Sequence, residues 1–197
     1  MDLKKYKKRL TTRQLVIIAA LGGISIFLNL SGLGFVPLPF FKLTIMHVPV
    51  IIGALLEGPI VGAIVGLIFG LFSMYQNFTV PTPLSFIFWN PIIALIPRIL
   101  IGVLSYYAFI FFKRVFKNIN LSIGLAAIIG SLVNTIGVLG LTYVLYLEKY
   151  AEAKEIATEA VALTLVGTVT VNGVPEAILA ALIAIPIVRA VNKIAKK

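Results

Sequence analysis

The chain has 197 residues, of which 60% are hydrophobic and 12% charged, and its mean hydropathy is +1.07. Soluble domains are roughly 45–50% apolar, so this composition excludes an ordinary soluble domain. The formal net charge is +10, and a sequence without cysteine can form neither disulfides nor thiolate metal sites.

Long apolar runs predict membrane-spanning helices, because a helix needs about 20 apolar residues to cross a bilayer. Gly, Pro and polar residues divide these runs into six helices, at about Thr12–Leu30, Thr44–Leu56, Pro59–Gln76, Leu84–Phe112, Leu121–Leu147 and Glu159–Ala190. The second helix is short, and Glu57-Gly58-Pro59 separates it from the third. The segment EKYAEAKEIATE after the fifth helix has the Glu–Lys spacing of a solvated helical extension.

The predicted fold class is therefore all-α, an integral membrane bundle of six transmembrane helices. We expect a single domain over residues 1–197, with short basic cytoplasmic tails at 1–11 and 191–197. A chain of this length leaves room for one bundle and for no separate soluble domain.

The basic residues cluster in three places, before the first helix, between the fourth and fifth, and after the sixth. They are Lys4, Lys5, Lys7, Lys8, Arg9 and Arg13, then Lys113, Arg114 and Lys117, then Arg189, Lys193, Lys196 and Lys197. With six spans these places share one side, which the positive-inside rule assigns to the cytoplasm together with both termini. Topology and anionic lipid headgroups explain the charge, so no nucleic-acid partner is expected.

Small residues recur at helical spacing, which allows helix backbones to approach closely in lipid. Gly62, Gly66 and Gly70 in the third helix, and the glycines of the fifth, favour internal helix contacts. The first helix has a small-residue face that also suits docking to another membrane subunit, with internal contact as the equal alternative. That face comprises Ala19, Ala20, Gly22 and Gly23.

The ionisable side chains favour binding over catalysis. His47 is the one histidine, and Glu57 and Glu176 are the acidic residues within the predicted spans. This is a poor metal set, and no G-x-x-x-x-G-K-[ST] motif is present, so we expect no enzyme, no metal and no cofactor. An intramembrane enzyme and a standalone carrier or channel are the alternatives of other classes.

Polar residues in the outer half of the predicted bundle are candidates to line a ligand cavity, because polar side chains within spans usually face the interior. The candidates are Asn29, Tyr75, Gln76, Trp89, Asn90, Asn134 and Asn172. An interfacial aromatic belt is the alternative for Trp89, and helix–helix hydrogen bonding is the alternative for Asn90, Asn134 and Asn172.

Arg98 follows Pro97 near the middle of the fourth helix, where a guanidinium needs a partner. We favour a structural ion pair with Glu176, and a ligand carboxylate is the competing partner. A proline can free a carbonyl of the preceding turn and open the helix towards a cavity. His47 is expected to start a helix or to contact its neighbours, and Glu57 to cap or pair with the basic N-terminal segment.

Three segments carry a family resemblance: TRQLVIIAALGGISIFLNL, IMHVPVIIGALLEGPIVGAIVGLIFGLFS and NPIIALIPRILIGVLSYY. Together they resemble the substrate-binding (S) components of energy-coupling factor (ECF) transporters, most closely the pantothenate type, with the folate and riboflavin types as alternatives.

The resemblance implies high-affinity binding and uptake of a water-soluble vitamin in the bacterial plasma membrane. The partners that it implies are a transmembrane coupling subunit and two cytoplasmic ATPase subunits. The coupling subunit would contact Ala19 and Gly23, although the family pattern is Ala-xxx-Ala and this chain has Gly23. The proline-rich loops after the first and third helices would gate the cavity.

Overall fold

The computed structural model describes residues 10–37 and 42–194, so most of the two basic tails lies outside the described residues. The helices are α1 (Thr12–Leu30), α2 (Val48–Glu57), α3 (Pro59–Thr79), α4 (Ser85–Trp89), α5 (Pro91–Val115) and α6 (Ile119–Lys154). Residues 158–194 then form one continuous helical stretch. It consists of a short 3₁₀ turn (Thr158–Ala160), α7 (Val161–Thr168), a π-helical segment (Val169–Gly173) and α8 (Val174–Ile194).

Five helical stretches in the described part of the chain are long and apolar enough to cross a membrane. They are Thr12–Leu30, Pro59–Thr79, Pro91–Val115, Ile119–Lys154 and Thr158–Ile194. The sixth predicted span corresponds to α2, which has 10 residues and is therefore about 15 Å long. Residues 48–55 of α2 are all buried, so this helix lies inside the bundle. The all-α apolar fold is confirmed, whereas the count of six spans and the cytoplasmic termini stay predictions.

A β-hairpin replaces the predicted start of the second helix. Strands β1 (Phe35–Pro37) and β2 (Lys42–Thr44) pair antiparallel, with Phe35 opposite Thr44 and Val36 opposite Leu43. The start predicted at Thr44 was therefore wrong, because the backbone there makes sheet hydrogen bonds and α2 begins only at Val48, with Pro49 in its first turn. Residues 38–41 of the predicted gating loop lie outside the described residues.

The predicted fourth helix, Leu84–Phe112, is divided at Asn90. Asn90 has extended backbone dihedrals, and its side-chain oxygen accepts a hydrogen bond from the Ile92 N–H at 2.9 Å. Pro91 takes the first position of α5, where a missing N–H costs nothing. The prediction of one continuous helix was wrong because the Asn-Pro pair starts a new one.

The fifth predicted helix continues beyond Leu147 to Lys154, with non-helical dihedrals at Tyr146. The predicted helical extension EKYAEAKEIATE is confirmed up to Lys154 and ends at Glu155, whose backbone is left-handed. The expectation that the extension is solvated was wrong for one face. Tyr150 and Ala151 are buried in an apolar cluster with Phe86 of α4 and Val161 of α7. The kink at Tyr146 redirects α6 towards these helices.

Close contact of α3 with α5 depends on the three glycines of α3. A Cβ atom on Gly66 would overlap the carbonyl oxygen of Arg98, and one on Gly70 would lie 2.6 Å from the carbonyl oxygen of Ala94. A Cβ atom on Gly62 would lie 2.8 Å from the Cα of Gly102 in α5 and 2.5 Å from the Cβ of Ala54 in α2. The prediction that these small residues serve internal helix contacts is confirmed for α3, because any side chain there would separate the two helices.

The α2–α3 junction also forms as predicted. Gly58 adopts φ +101°, which L side chains rarely adopt, and Pro59 begins α3. Glu57 pairs with Arg13 of α1, with 2.7 Å between Oε1 and Nε, in the geometry of an ion pair without an aligned hydrogen bond. The expected pairing of Glu57 with the N-terminal segment is confirmed, and it ties α1 to α2.

Candidate functional site

A cavity of about 570 Å³ lies at the end of the bundle that holds the β-hairpin and the α3–α4 loop. This volume falls within the roughly 300–1,000 Å³ typical of small-molecule sites. Its uncharged polar lining consists of Asn29, Thr44, Ser73, Gln76, Asn77, Thr82, Asn134, Thr135, Thr168 and Asn172. Its apolar lining consists of Phe35, Met46, Phe69, Val80, Phe88, Val138 and Leu139. Arg98 and Glu176 are the charged residues that complete it.

Arg98 is 5% exposed, and its position follows from the proline before it. Pro97 lacks the N–H that would bond the Ile93 carbonyl four residues earlier, and Arg98 Nη1 donates to that oxygen at 2.8 Å. The guanidinium carbon lies 4.9 Å from the ring centre of Phe88 and 5.6 Å from that of Phe69. The rings and the carbonyl hold the guanidinium in place, while Nε is buried without a hydrogen-bond partner among the described residues.

Glu176 does not pair with Arg98. Oε1 of Glu176 accepts a hydrogen bond from the Thr44 backbone N–H at 2.8 Å. Within residues 10–37 and 42–194, no nitrogen of Arg98 lies within 4 Å of a carboxylate oxygen. The ion pair that we favoured from the sequence is therefore absent from this structure, because the hairpin supplies the partner of Glu176 and Ile93 supplies that of Arg98.

Asn77 anchors the α3–α4 loop beside the cavity. Its Oδ1 accepts a hydrogen bond from the Ser85 hydroxyl at 2.7 Å, and Ser85 Oγ in turn accepts one from the Thr82 N–H at 2.8 Å. The Asn77 carbonyl accepts a hydrogen bond from the indole N–H of Trp89 at 2.9 Å. These bonds hold Val80 and Thr82 of the loop in the cavity wall.

Five of the eight predicted substrate-binding residues line this one cavity, namely Arg98, Gln76, Asn134, Asn172 and Asn29. The side-chain oxygen of Asn134 is buried there without a hydrogen-bond partner among the described residues.

The other three predicted residues lie outside the cavity lining. Tyr75 is 61% exposed on the outer surface of α3. Trp89 stacks on Phe78 with 5.7 Å between ring centres, and Asn90 caps α5 while donating to the Tyr146 hydroxyl at 3.3 Å. The polar groups of Trp89 and Asn90 are therefore already hydrogen-bonded within the protein.

Sequence reasoning missed the aromatic and hairpin parts of the cavity. Phe69, Ser73 and Gln76 recur on α3 at the spacing of one helix face, a pattern that could have identified the first two. Phe88, Phe35 and Met46 have no such periodicity, because short connecting segments bring them to the cavity.

His47 precedes α2 as predicted and is fully buried. Neither ring nitrogen has a hydrogen-bond partner among the described residues, and the ring does not line the cavity. In the same part of the chain, no three His, Asp or Glu side chains are grouped as metal ligands.

The predicted docking residues Ala19, Ala20 and Gly23 are exposed on α1. A Cβ atom on Gly23 would meet no atom within 4 Å, whereas one on Gly22 would lie 3.0 Å from Ile68 of α3. Gly22 therefore belongs to the α1–α3 contact, and the other three small residues lie on the outer face of the bundle.

Comparison with known proteins places this architecture in a family. The model of the family described as "ECF transporter, substrate-specific component" matches residues 13–188. The pantothenic acid transporter PanT of Lactococcus lactis subsp. cremoris is 39% identical over 112 residues, which cover 50% of this chain and 55% of that protein.

The pantothenate transporter PanT of Leuconostoc mesenteroides subsp. mesenteroides is 34% identical over 122 residues, covering 57% of this chain and 58% of that protein. The chain thus spans little more than half the length of these relatives. The family match extends from α1 to α8 and includes every wall of the cavity. The chain belongs to the substrate-specific components of ECF transporters.

Proposed function

We propose that this chain binds pantothenate in the cavity and is the substrate-specific subunit of an ATP-driven ECF transporter in the bacterial plasma membrane. Both relatives named above are pantothenate transporters, and the matched family supplies the transport role. The observation that carries the choice of ligand is the buried guanidinium of Arg98 in the cavity wall.

Arg98 suits a ligand carboxylate. A guanidinium has five N–H donors, the Ile93 carbonyl engages one nitrogen, and Arg98 lines the cavity. An unpaired charge in the hydrocarbon region is costly, and a bidentate carboxylate removes that cost. Asn134 lines the same cavity, and its amide group can hydrogen-bond to polar groups of the same ligand.

Among the alternative vitamins, folate also carries carboxylates and stays the runner-up. Riboflavin carries none and would leave the charge of Arg98 unmatched, so the cavity disfavours it. A standalone carrier, a channel or an intramembrane enzyme lacks the support that the family gives to a subunit of a larger transporter.

Topology and partners complete the proposal. With both termini in the cytoplasm, the cavity lies in the outer half, beneath the β-hairpin and the α3–α4 loop, which gate it. The exposed small residues Ala19, Ala20 and Gly23 contact a transmembrane coupling subunit. Two cytoplasmic ATPase subunits then power release of the vitamin to the inside.

The test is ligand binding by the purified subunit, read from the fluorescence of Trp89, the single tryptophan of the sequence. The indole N–H of Trp89 donates to the carbonyl of Asn77, and Asn77 lines the cavity. A ligand in the cavity should therefore change the fluorescence emission of Trp89. We expect pantothenate to bind on the order of 10- to 100-fold more tightly than its alcohol analogue, because the alcohol cannot form a charge-assisted pair with Arg98.

Arg98→Lys should erase most of that preference, because a single ammonium replaces a bidentate fork. Arg189→Lys, the same change on the exposed end of α8, should preserve it. Equal binding of the acid and the alcohol by the wild type would contradict a carboxylate site at Arg98. Mass spectrometry of the small molecule that co-purifies with the subunit decides between pantothenate and folate.

A further inference from the structure

Glu176 is a carboxylate in the cavity wall that the proposed binding of a carboxylate ligand does not use. It lies in the first turn of α8, directly after the π-helical segment Val169–Gly173, and it is 7% exposed. Asn172, four residues earlier, lines the same cavity. The π-helical segment and the first turn of α8 therefore present an amide and a carboxylate to one space.

The carboxylate is only partly satisfied by the protein. A carboxylate group has about four lone-pair positions, and among the described residues its donors come from Thr44, whose N–H bonds to Oε1 at 2.8 Å and whose hydroxyl lies beside the same carboxylate. Among the side chains described at residues 10–36 and 43–194, no Lys, Arg or His lies within ion-pair distance of it. Because burial of a carboxylate is costly without donors, the remaining acceptor positions call for a donor from whatever fills the cavity.

Glu176 and Arg98 stand on different walls. Helix α5 lies mainly against α3, α6 and α2, whereas α8 lies mainly against α6, α2 and the π-helical segment. Arg98 can only donate hydrogen bonds, and an ionised Glu176 can only accept them. A ligand that matches both walls has an anionic acceptor at one end and a hydrogen-bond donor at the other.

We propose that Glu176 is a specificity-determining residue that accepts a hydrogen bond from a hydroxyl group of the ligand whose carboxylate pairs with Arg98. This inference rests on the proposed function and deepens it, because pantothenate has a carboxylate at one end and two hydroxyl groups at the other. The hydrogen bond from Thr44 orients the carboxylate, and it makes the hairpin part of the site.

The experiment compares pantothenate with an analogue whose hydroxyl groups are methylated, on wild type and Glu176→Gln. Glutamine keeps an oxygen for the Thr44 N–H and replaces the second carboxylate oxygen with a donor, so the hairpin contact is preserved. We expect Glu176→Gln to weaken pantothenate binding on the order of 10- to 100-fold and to change analogue binding by less than about threefold.

Glu152→Gln, the same substitution on an exposed part of α6, is the matched control and should change neither affinity. Analogue binding shows that the Glu176→Gln variant is folded. If it binds neither ligand, Thr44→Pro is compared with Thr44→Ala: both remove the hydroxyl, and only Thr44→Pro also removes the N–H that bonds to Glu176. Lost discrimination between the two ligands in Thr44→Pro supports orientation of Glu176 by the hairpin, and unchanged discrimination overturns it.

Equal weakening of both ligands in Glu176→Gln, or no weakening of either, overturns the hydroxyl contact and leaves Glu176 a structural tie to the hairpin. If the wild type binds pantothenate and Glu176→Gln gives either of these results, only this inference is refuted. Wild-type protein that binds no pantothenate would refute it together with the proposed function.

Discussion

The guanidinium of Arg98 donates a 2.8 Å hydrogen bond to the carbonyl oxygen of Ile93, the acceptor that Pro97 leaves unused in α5. Pro97 thus leaves the Ile93 carbonyl without its helical donor, and the next residue, Arg98, donates to it instead. The arrangement anchors a charged side chain within an apolar helix and aligns it with the rings of Phe69 and Phe88.

Replacing that proline tests whether the anchor matters. In Pro97→Ala the new N–H competes for the Ile93 carbonyl, so Arg98 loses its fixed partner while the helix gains a backbone hydrogen bond. We expect pantothenate affinity to fall about tenfold, a cost of roughly 1.4 kcal/mol, without loss of thermal stability. Unchanged affinity in a fluorescence titration would show that the proline does not position Arg98. Pro186→Ala, in α8, is the matched control.

The α3–α5 contact should be intolerant of any side chain at Gly66. Gly66→Ala places a Cβ against the Arg98 carbonyl and must push α5 away, which typically costs about 1–3 kcal/mol. We expect a lower melting temperature and weaker ligand binding. Gly23→Ala, which meets no atom within 4 Å, should be neutral or slightly stabilising in the isolated subunit. Equal melting temperatures for the two variants would argue against this contact.

The two charges of the cavity should be energetically independent of each other in the absence of ligand. A double-mutant cycle with Arg98→Met and Glu176→Gln, measured by thermal unfolding, should give a coupling energy below about 1 kcal/mol. Breaking a direct buried ion pair costs about 3–5 kcal/mol. A coupling energy in that higher range would indicate that Arg98 and Glu176 form a direct ion pair, contrary to the structure.

The outer face of α1 should matter for transport and not for binding. Gly23→Leu adds bulk where the proposed coupling subunit docks, so uptake by cells should be abolished while pantothenate affinity of the purified subunit is retained. Gly22→Leu is the contrasting variant, because it would clash with Ile68 and should reduce the stability of the bundle itself. Loss of binding in Gly23→Leu would assign this face to internal contacts.

The natural absence of cysteine makes the proposed topology directly measurable. Glu152→Cys, on the α6 extension, should react with a membrane-impermeant maleimide on intact cells. Lys117→Cys, between α5 and α6, should react only after the membrane is permeabilised. Both positions are exposed, so access to each is decided by the side of the membrane. The reverse labelling pattern would show that the bundle has the opposite orientation in the membrane, with the cavity in the cytoplasmic half.

The sequence by itself determined the membrane class, the break at Glu57-Gly58-Pro59 and the pairing of Glu57 with the basic N-terminal segment. It also predicted that the glycines of α3 lie in a helix contact and that Arg98 lies within a proline-containing helix. These features are local, because they depend on hydrophobicity, proline and glycine conformation, and residue spacing along one helix.

Only the tertiary structure decided which polar residues share the cavity. Gln76 and Tyr75 are neighbours in sequence, yet one lines the cavity and the other faces outwards, since successive helical residues point about 100° apart. The partner of Glu176 is a backbone N–H 132 residues away on the hairpin, a choice that no local pattern encodes. The partners of Arg98 and Glu176 depend on how α5, α8 and the hairpin are placed, because a buried polar group can bond only to a donor or acceptor that the fold brings within reach.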